Sequence, residues 1–510
     1  MPRSSGNGLK MNFFQRFTFL FAAPAFDADD LEGQRVQDIV AAIERSGFQV
    51  VKARRIEDAE IAVQTDAAIG CMVVDWGRKG LEGKSISLIN LMRRRGLEMP
   101  IVLLVRRKRF EDVPIEILDF VDGYVFLAEE TPEFIAKNLV SRLKQYAETL
   151  KTPFFGALVD YAEEGNQLWT CPGHNGGIFY SRSPIGRIFR EHLGEAVFRD
   201  DLDNSILELG DLLTHEGPAL QAQREAAAIF GADKTYFVLN GTSSSNKIAL
   251  SALVAEDDLV LFDRNNHKAA HHGALLLGGG IPIYLPTERN AYGLIGPIDS
   301  RYLNETAIRE AIRSSPLVKD PETYHRQRPF RVAVIEQCTY DGTILSAEMI
   351  IERIGKLCDY ILFDEAWAGF MKFHPLYAGR FAMGLKNLGP DAPGIIATQS
   401  AHKQLASFSQ ASPVRFCGTT PSGSVSSCVK SCAPCAESSK RRRPIRVSAG
   451  FSIHSYQIVY PCRMLRAMAA STPFPGKTFR PISWSLKRDS GNLNRATPGT
   501  GFRISRPVRR

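Results

Sequence analysis

The sequence predicts an α/β protein made of two strand-and-helix units in tandem, followed by a stretch that fits neither pattern. Three observations predict it. Short apolar runs alternate with amphipathic stretches of helical period through residues 12–150 and again through 156–412, the order that builds mostly parallel sheets covered by helices. A composition of 44% hydrophobic and 23% charged residues over 510 positions suffices for two or three packed cores and is too apolar for a disordered chain. The alternation then stops at about Ser412, where the charge also changes sign. Pro413 to Arg510 carry 18 Lys and Arg against two acids, Glu437 and Asp489, whereas residues 1–412 carry 45 bases and 53 acids. The net charge of +8 therefore hides an acidic body with a basic tail.

In residues 12–150 the candidate strands are Phe17 to Ala22, Gln49 to Ala53, Cys71 to Asp75, Ile101 to Val105 and Gly123 to Phe126. Helical patterns at Arg35 to Ser46, Ser85 to Arg95 and Thr131 to Tyr146 lie between and after them, the signature of a small doubly wound domain. The first apolar run, Phe17 to Phe26, follows Lys10 and Arg16 and contains Ala-Pro-Ala, as a secretory leader does. It also opens a pattern that needs a first strand, and a buried strand is the expectation; Met11 is an alternative start. Asp75 closes a strand and invites a phosphate-accepting role. No acidic pair directly follows the first strand, Asp29 and Asp30 coming several residues later, so an interaction or assembly domain is expected instead.

A linker near Lys151 to Phe155 leads into the larger unit, residues 156–412. Its candidate strands are Thr235 to Leu239, Leu259 to Phe262, Ile281 to Tyr284, Val332 to Glu336 and Tyr360 to Phe363, with helices at Pro218 to Phe230, Ser245 to Leu253 and Ala347 to Leu357. From residue 413 to 510 Ser, Pro, Arg and Cys dominate without period, and the tail is expected to be disordered or out of frame. Cys428, Cys432 and Cys435 lack a fourth ligand at zinc spacing, and Lys440 to Arg443 lack the interleaved aromatics of a nucleic-acid surface. No apolar run reaches the roughly 18 residues of a membrane span, and nine cysteines in so long a chain give no disulfide framework. A soluble, cytoplasmic protein without metal is the expectation.

Four segments of the larger unit carry chemistry. Asn240 to Asn246 (NGTSSSN) follows an apolar strand and opens a helix, so backbone N–H groups, hydroxyls and a positive helix end can hold a phosphate; an ordinary capped helix has the same pattern. Phe363-Asp364-Glu365-Ala366-Trp367 ends a strand in an acid, where α/β sheets bind ligands and a carboxylate can face a protonated ring nitrogen; it can equally cap the next helix. Ser400-Ala401-His402-Lys403 offers an amine able to form a Schiff base with an aldehyde, although most lysines are merely solvated. Asn265 to Lys268 places His267 just past a strand, where an imidazole can stack on a planar ring. His271 and His272 follow closely, but no acids stand at metal-binding spacing.

In order, these segments resemble the bacterial ornithine/lysine/arginine decarboxylase family, enzymes dependent on pyridoxal 5′-phosphate (PLP). The resemblance includes Thr170 to Gly177 (TCPGHNGG), Ser183 to Gly186, Asp203 to Pro218, Thr339 to Thr343 and Phe373 to Tyr377, and covers about residues 12–412. It implies a flavodoxin-like N-terminal wing domain followed by a fold type I, PLP-dependent transferase-like large domain. It implies that Lys403 binds the cofactor as a Schiff base and Asp364 its pyridine nitrogen, while His267 stacks on the ring. Thr242, Ser243, Ser400 and His402 would hold the phosphate, with Ala366 and Trp367 flanking the ring, and His402 or Lys403 would reprotonate the product carbon. A basic amino acid is the implied substrate, a homo-oligomer the implied assembly, and a membrane or nucleic-acid partner is not implied. The family pattern continues well past the Schiff-base lysine, whereas here it ends near Ser412. The large domain is therefore expected to be incomplete and the chain, as written, weakly active or inactive. Another PLP enzyme, an aminotransferase or lyase, and a non-catalytic assembly protein are the alternatives.

Overall fold

The computed structural model describes residues 12–27, 30–76, 81–166, 171–203, 206–211, 214, 216–385, 388–405, 407 and 412–417. Cys428, Cys432, Cys435 and Lys440 to Arg443 lie outside them, as does Thr170.

The first sheet contains β1 (Thr18–Ala22), β2 (Gln49–Ala53), β3 (Ile69–Asp75), β4 (Ile101–Val105) and β5 (Gly123–Phe126). All are parallel, in the order β2-β1-β3-β4-β5, the doubly wound arrangement of flavodoxin-like folds. The leader-like run is the heart of this sheet. All five residues of β1 are buried, Phe19 and Phe21 packing with Val36, Ile39 and Ile43 of the helix Leu31–Arg45. Leu20 and Ala22 pack on the other side with Leu88 and Ile89 of the helix Glu82–Arg94. A central parallel strand must be apolar on both faces, because helices cover both. Each such Phe or Leu contributes on the order of 1.5–3 kcal/mol by leaving water. The helices start where the sequence offers caps: Asp30 accepts from the Gly33 N–H at 2.8 Å, and Thr131 from the Phe134 N–H at 3.3 Å, with Pro132 in the first turn.

Asp75 is engaged at the end of β3. Its Oδ1 accepts from Arg106 Nη1 at 2.6 Å, and Arg106 Nε and Nη2 donate to Glu32 Oε2 at 2.8 and 2.7 Å. The carboxylate is buried beneath an arginine rather than presented to solvent.

The expected linker is shorter than predicted. Only Lys151 and Thr152 separate the helix Pro132–Leu150 from a second helix, Pro153–Glu163, which the sequence pattern missed.

The second sheet joins β6 (Lys234–Val238), β7 (Leu259–Asp263), β8 (Ile281–Leu285), β11 (Phe330–Glu336), β12 (Cys358–Glu365), β13 (Gly394–Gln399) and β14 (Ser412–Cys417); β9 (Thr287–Arg289) and β10 (Ile295–Ile298) form a separate antiparallel pair. The order is β6-β14-β13-β12-β11-β7-β8, with β14 antiparallel to both neighbours. Two expectations are corrected here. Gly394 to Thr398, read as a turn region, is a strand buried between β12 and β14. The pattern break at Ser412 is not where the sheet ends: β14 runs through Cys417 and fills the gap between β6 and β13, because a lone strand in mid-sheet leaves too short an apolar run to register as periodicity. Core residues again divide by period two, Phe330, Ala333 and Ile335 of β11 facing one cluster and Val332 and Val334 the other.

The helix Pro184–Leu193 leaves Ile185, Ile188 and Phe189 exposed. No helix among the described residues is long and apolar enough to cross a membrane.

Candidate active site

Parallel sheets present the carboxyl ends of their strands, with the helix starts that follow them, along one edge, and polar groups collect there. In the second sheet that edge carries Asp263 of β7, Glu336 of β11, Asp364 and Glu365 of β12 and Thr398 of β13, with Glu336 beside Asp364 and Asp364 beside Thr398 in register.

Asp364 lies at the centre and is 1% exposed. Its Oδ2 accepts from Asn246 Nδ2 at 2.6 Å and its Oδ1 from the Ala366 N–H at 3.1 Å. Asn246 is held in turn by Thr398, whose Oγ1 donates to Asn246 Oδ1 at 2.7 Å. Burial pushes the Asp364 carboxyl above its usual range, opposed by the hydrogen bonds from Asn246 and Ala366 and by the charges of Lys403 and His267. The neighbouring Glu365 faces inward as a structural group, accepting from Gln399 Nε2 at 2.7 Å and the Ala382 N–H at 2.6 Å.

The hydroxyl-rich motif is itself the first two turns of the helix Gly241–Leu253, which starts four residues earlier than the pattern suggested. Asn240 and Gly241 both have positive φ, 68° and 72°, turning the chain sharply from β6 into the helix; glycine takes that conformation without a Cβ clash. The turn brings Thr242 onto Ser400: their hydroxyl oxygens lie 2.5 Å apart, both buried, across 158 residues of sequence. Ser243 is half-buried on the same turn.

Lys403 is exposed, its Nζ 4.5 Å from the centroid of the Trp367 ring. Trp367 packs against the main core, and Ala366 is buried. His402 is half-buried beside them. His267 caps the short helix Lys268–His271, its Nδ1 accepting from the Ala269 N–H at 3.2 Å. Desolvation of its ring lowers its pKa, with the charge of Asp364 opposing, so the neutral imidazole is favoured. No group of His, Cys, Asp and Glu that could hold a metal occurs among the described residues. His271 instead stacks on Phe262, ring centroids 4.4 Å apart.

The structure thus joins Thr242 with Ser400, Asp364 with Ala366, and Lys403 with Trp367, and puts Asp364, Lys403 and His267 within one electrostatic neighbourhood. The sequence reading missed Asn246, Thr398, Glu336 and Asp263. Asn246 stands four residues after Thr242, one helical turn on, and so shares its face. Asp263 and Glu336 close apolar strands just as Asp364 does.

Comparison with known proteins agrees with this architecture. The family model described as Orn/Lys/Arg decarboxylase, major domain, matches residues 152–425, and the one described as Orn/Lys/Arg decarboxylase, N-terminal domain, matches residues 31–146. The inducible ornithine decarboxylase of Escherichia coli K12 is 49% identical over 319 residues, 62% of this chain and 43% of the relative. The lysine decarboxylase LdcA of Pseudomonas aeruginosa is 37% identical over 406 residues, 78% of this chain and 53% of that protein. The solved structure of lysine decarboxylase A from Pseudomonas aeruginosa superposes with a TM-score of 0.76 at 34% identity, covering 89% of this chain and 59% of that one. The chain therefore spans about half the length of the curated relatives it matches. With a doubly wound domain leading into a mostly parallel sheet whose strand ends collect these acids and hydroxyls, and with the family's models matching across both, the chain belongs to the Orn/Lys/Arg decarboxylase family.

Proposed function

We propose that the protein is a PLP-dependent decarboxylase of a basic amino acid, either arginine, lysine or ornithine, releasing the amine and CO2. The observation that carries this reading is a buried acid without a cationic partner at a strand end, flanked by a hydroxyl pair at a helix start and by a lysine. Among the described residues Asp364 enters no ion pair, yet it is buried and fixed by two donors; a protonated ring nitrogen would supply the missing charge. The Thr242–Ser400 hydroxyls and the positive N-terminal end of the Gly241–Leu253 helix suit a phosphate.

The residues present fit the group. Asp364 would hold the pyridine nitrogen, Thr242, Ser243, Ser400 and His402 the phosphate, and Lys403 the aldehyde carbon, with His267, Ala366 and Trp367 around the ring. Bound PLP supplies an electron sink for the pair left on Cα when CO2 departs. Asn246 orients Asp364 and stabilises its charge, which would keep a bound ring nitrogen protonated. His402 or Lys403 would return a proton to Cα. The uncovered apolar face of the Pro184–Leu193 helix supports assembly as a homo-oligomer.

Borohydride reduction of the PLP-loaded chain followed by peptide mass spectrometry is expected to find the label on Lys403, with none in Lys403→Ala. Label on another lysine refutes the assignment. A keto acid rather than CO2 from labelled arginine, lysine or ornithine favours an aminotransferase.

A further inference from the structure

Three carboxyl groups close three adjacent strands of the second sheet: Asp263 on β7, Glu336 on β11 and Asp364 on β12. None of the three forms an ion pair among the described residues, and Lys403, whose charge acts on Glu336 and Asp364, lies over the Trp367 ring. Asp263 and Asp364 are buried and Glu336 is half-buried between them. Like charges held this close and away from water do not all remain ionised, so a proton resides in the cluster.

The hydrogen bonds say where. Asp364 takes two donors, from Asn246 and Ala366. Asp263 also takes two, the Asn265 N–H at 2.5 Å and the Glu336 N–H at 2.7 Å. Glu336 receives the His267 backbone N–H, but its Oε2 is fully buried with no hydrogen-bond partner. A carboxylate oxygen buried without a donor is the least stable place for negative charge, and a neutral O–H is the least costly group to leave there.

We propose that Glu336 holds the cluster's proton and acts as a positioning residue for Asp364: it stays a neutral acid, leaving Asp364 as the negative charge available to the cofactor's ring nitrogen. The last clause rests on the PLP reading above; the seat of the proton does not. The groups that face Glu336 are Asp364 from β12, Asp263 from β7, Lys403 from the helix after β13 and the His267 backbone. Burial first, then the charges of Asp364 and Asp263, raise its proton affinity, while Lys403 and the His267 N–H lower it. Asp263, by contrast, is pushed up only to about 6 and is ionised at pH 8.

The test is infrared difference spectroscopy of the full chain without cofactor at pH 8, reading the carbonyl stretch of a protonated carboxylic acid. The band is expected in the native chain, lost in Glu336→Gln and kept in Asp263→Asn. Its absence from the native chain, its persistence in Glu336→Gln, or its loss in Asp263→Asn overturns the proposal. Should Glu336→Gln not fold, Asp364→Asn decides: removing the neighbouring charge should lower the pH at which the band disappears by about one unit or more, and no shift is the refuting result. Titration with PLP at pH 7 adds an independent reading. Glu336→Gln, which mimics the neutral acid, should bind within about twofold of the native chain, whereas Asp364→Asn should lose roughly tenfold or more. A tenfold loss in Glu336→Gln means that its charge matters, against the proposal. If the native chain binds no PLP while the band behaves as expected, the cofactor reading fails and the protonated Glu336 stands.

Discussion

Asn246→Ala probes the link on which the strand-end site depends. Asn246 is fully buried and spends both ends of its amide, Nδ2 on Asp364 at 2.6 Å and Oδ1 on the Thr398 hydroxyl at 2.7 Å. Alanine removes a charge-assisted hydrogen bond, about 1.5–3 kcal/mol, and strands a buried hydroxyl, about 1–3 kcal/mol, so the second domain should lose roughly 3–5 kcal/mol. Urea unfolding at pH 7.5, followed by tryptophan fluorescence, measures it. Adding Thr398→Val removes the stranded hydroxyl and should recover on the order of 1 kcal/mol or more. A cycle with Asp364→Asn should show coupling of about 1.5–3 kcal/mol, since the two side chains share one bond. A loss below about 1 kcal/mol, or strict additivity with Asp364→Asn, would show that the 2.6 Å contact does not stabilise the carboxylate and would remove Asn246 from the site.

Asp263 gives a pH signature opposite to that of a salt-bridged acid. Its folded pKa, about 6, lies above its unfolded value, so the stability it contributes is complete below about pH 4 and is lost as pH rises through 6, roughly 3 kcal/mol in all. Asp263→Asn should flatten that part of the urea-midpoint profile between pH 4 and 8; an unchanged slope refutes the assignment. In the first domain, Arg106→Met leaves the buried Asp75 carboxylate without its partner and should cost about 3–5 kcal/mol, with Asp75→Asn in the same chain restoring much of it, as thermal melting will read. Ending the chain at Ala411 removes β14 from between β6 and β13 and opens two backbone edges. Its soluble yield should fall well below that of a chain ending at residue 425, and equal yields would show that β14 is dispensable.

Local pattern determined much of this protein. Both α/β units, most of their strands, the helix opening at Thr131, and the segments holding Thr242, Asp364 and Lys403 follow from periodicity and from residue types at strand ends, because these depend on neighbours within a few positions. The expected strand at Phe17 to Ala22 follows from the same reasoning, since a doubly wound sheet needs a strand apolar on both faces. Tertiary structure alone decided the rest. That β14 inserts antiparallel between β6 and β13 depends on pairing with residues some 180 positions away, and six residues carry too little pattern to announce it. That Thr242 meets Ser400, that Asn246 fixes Asp364, and that Glu336 stands between two buried acids are consequences of sheet order. Charge and hydrogen-bond energies depend on distance and on the exclusion of water, and both are set only when remote strands come to lie side by side.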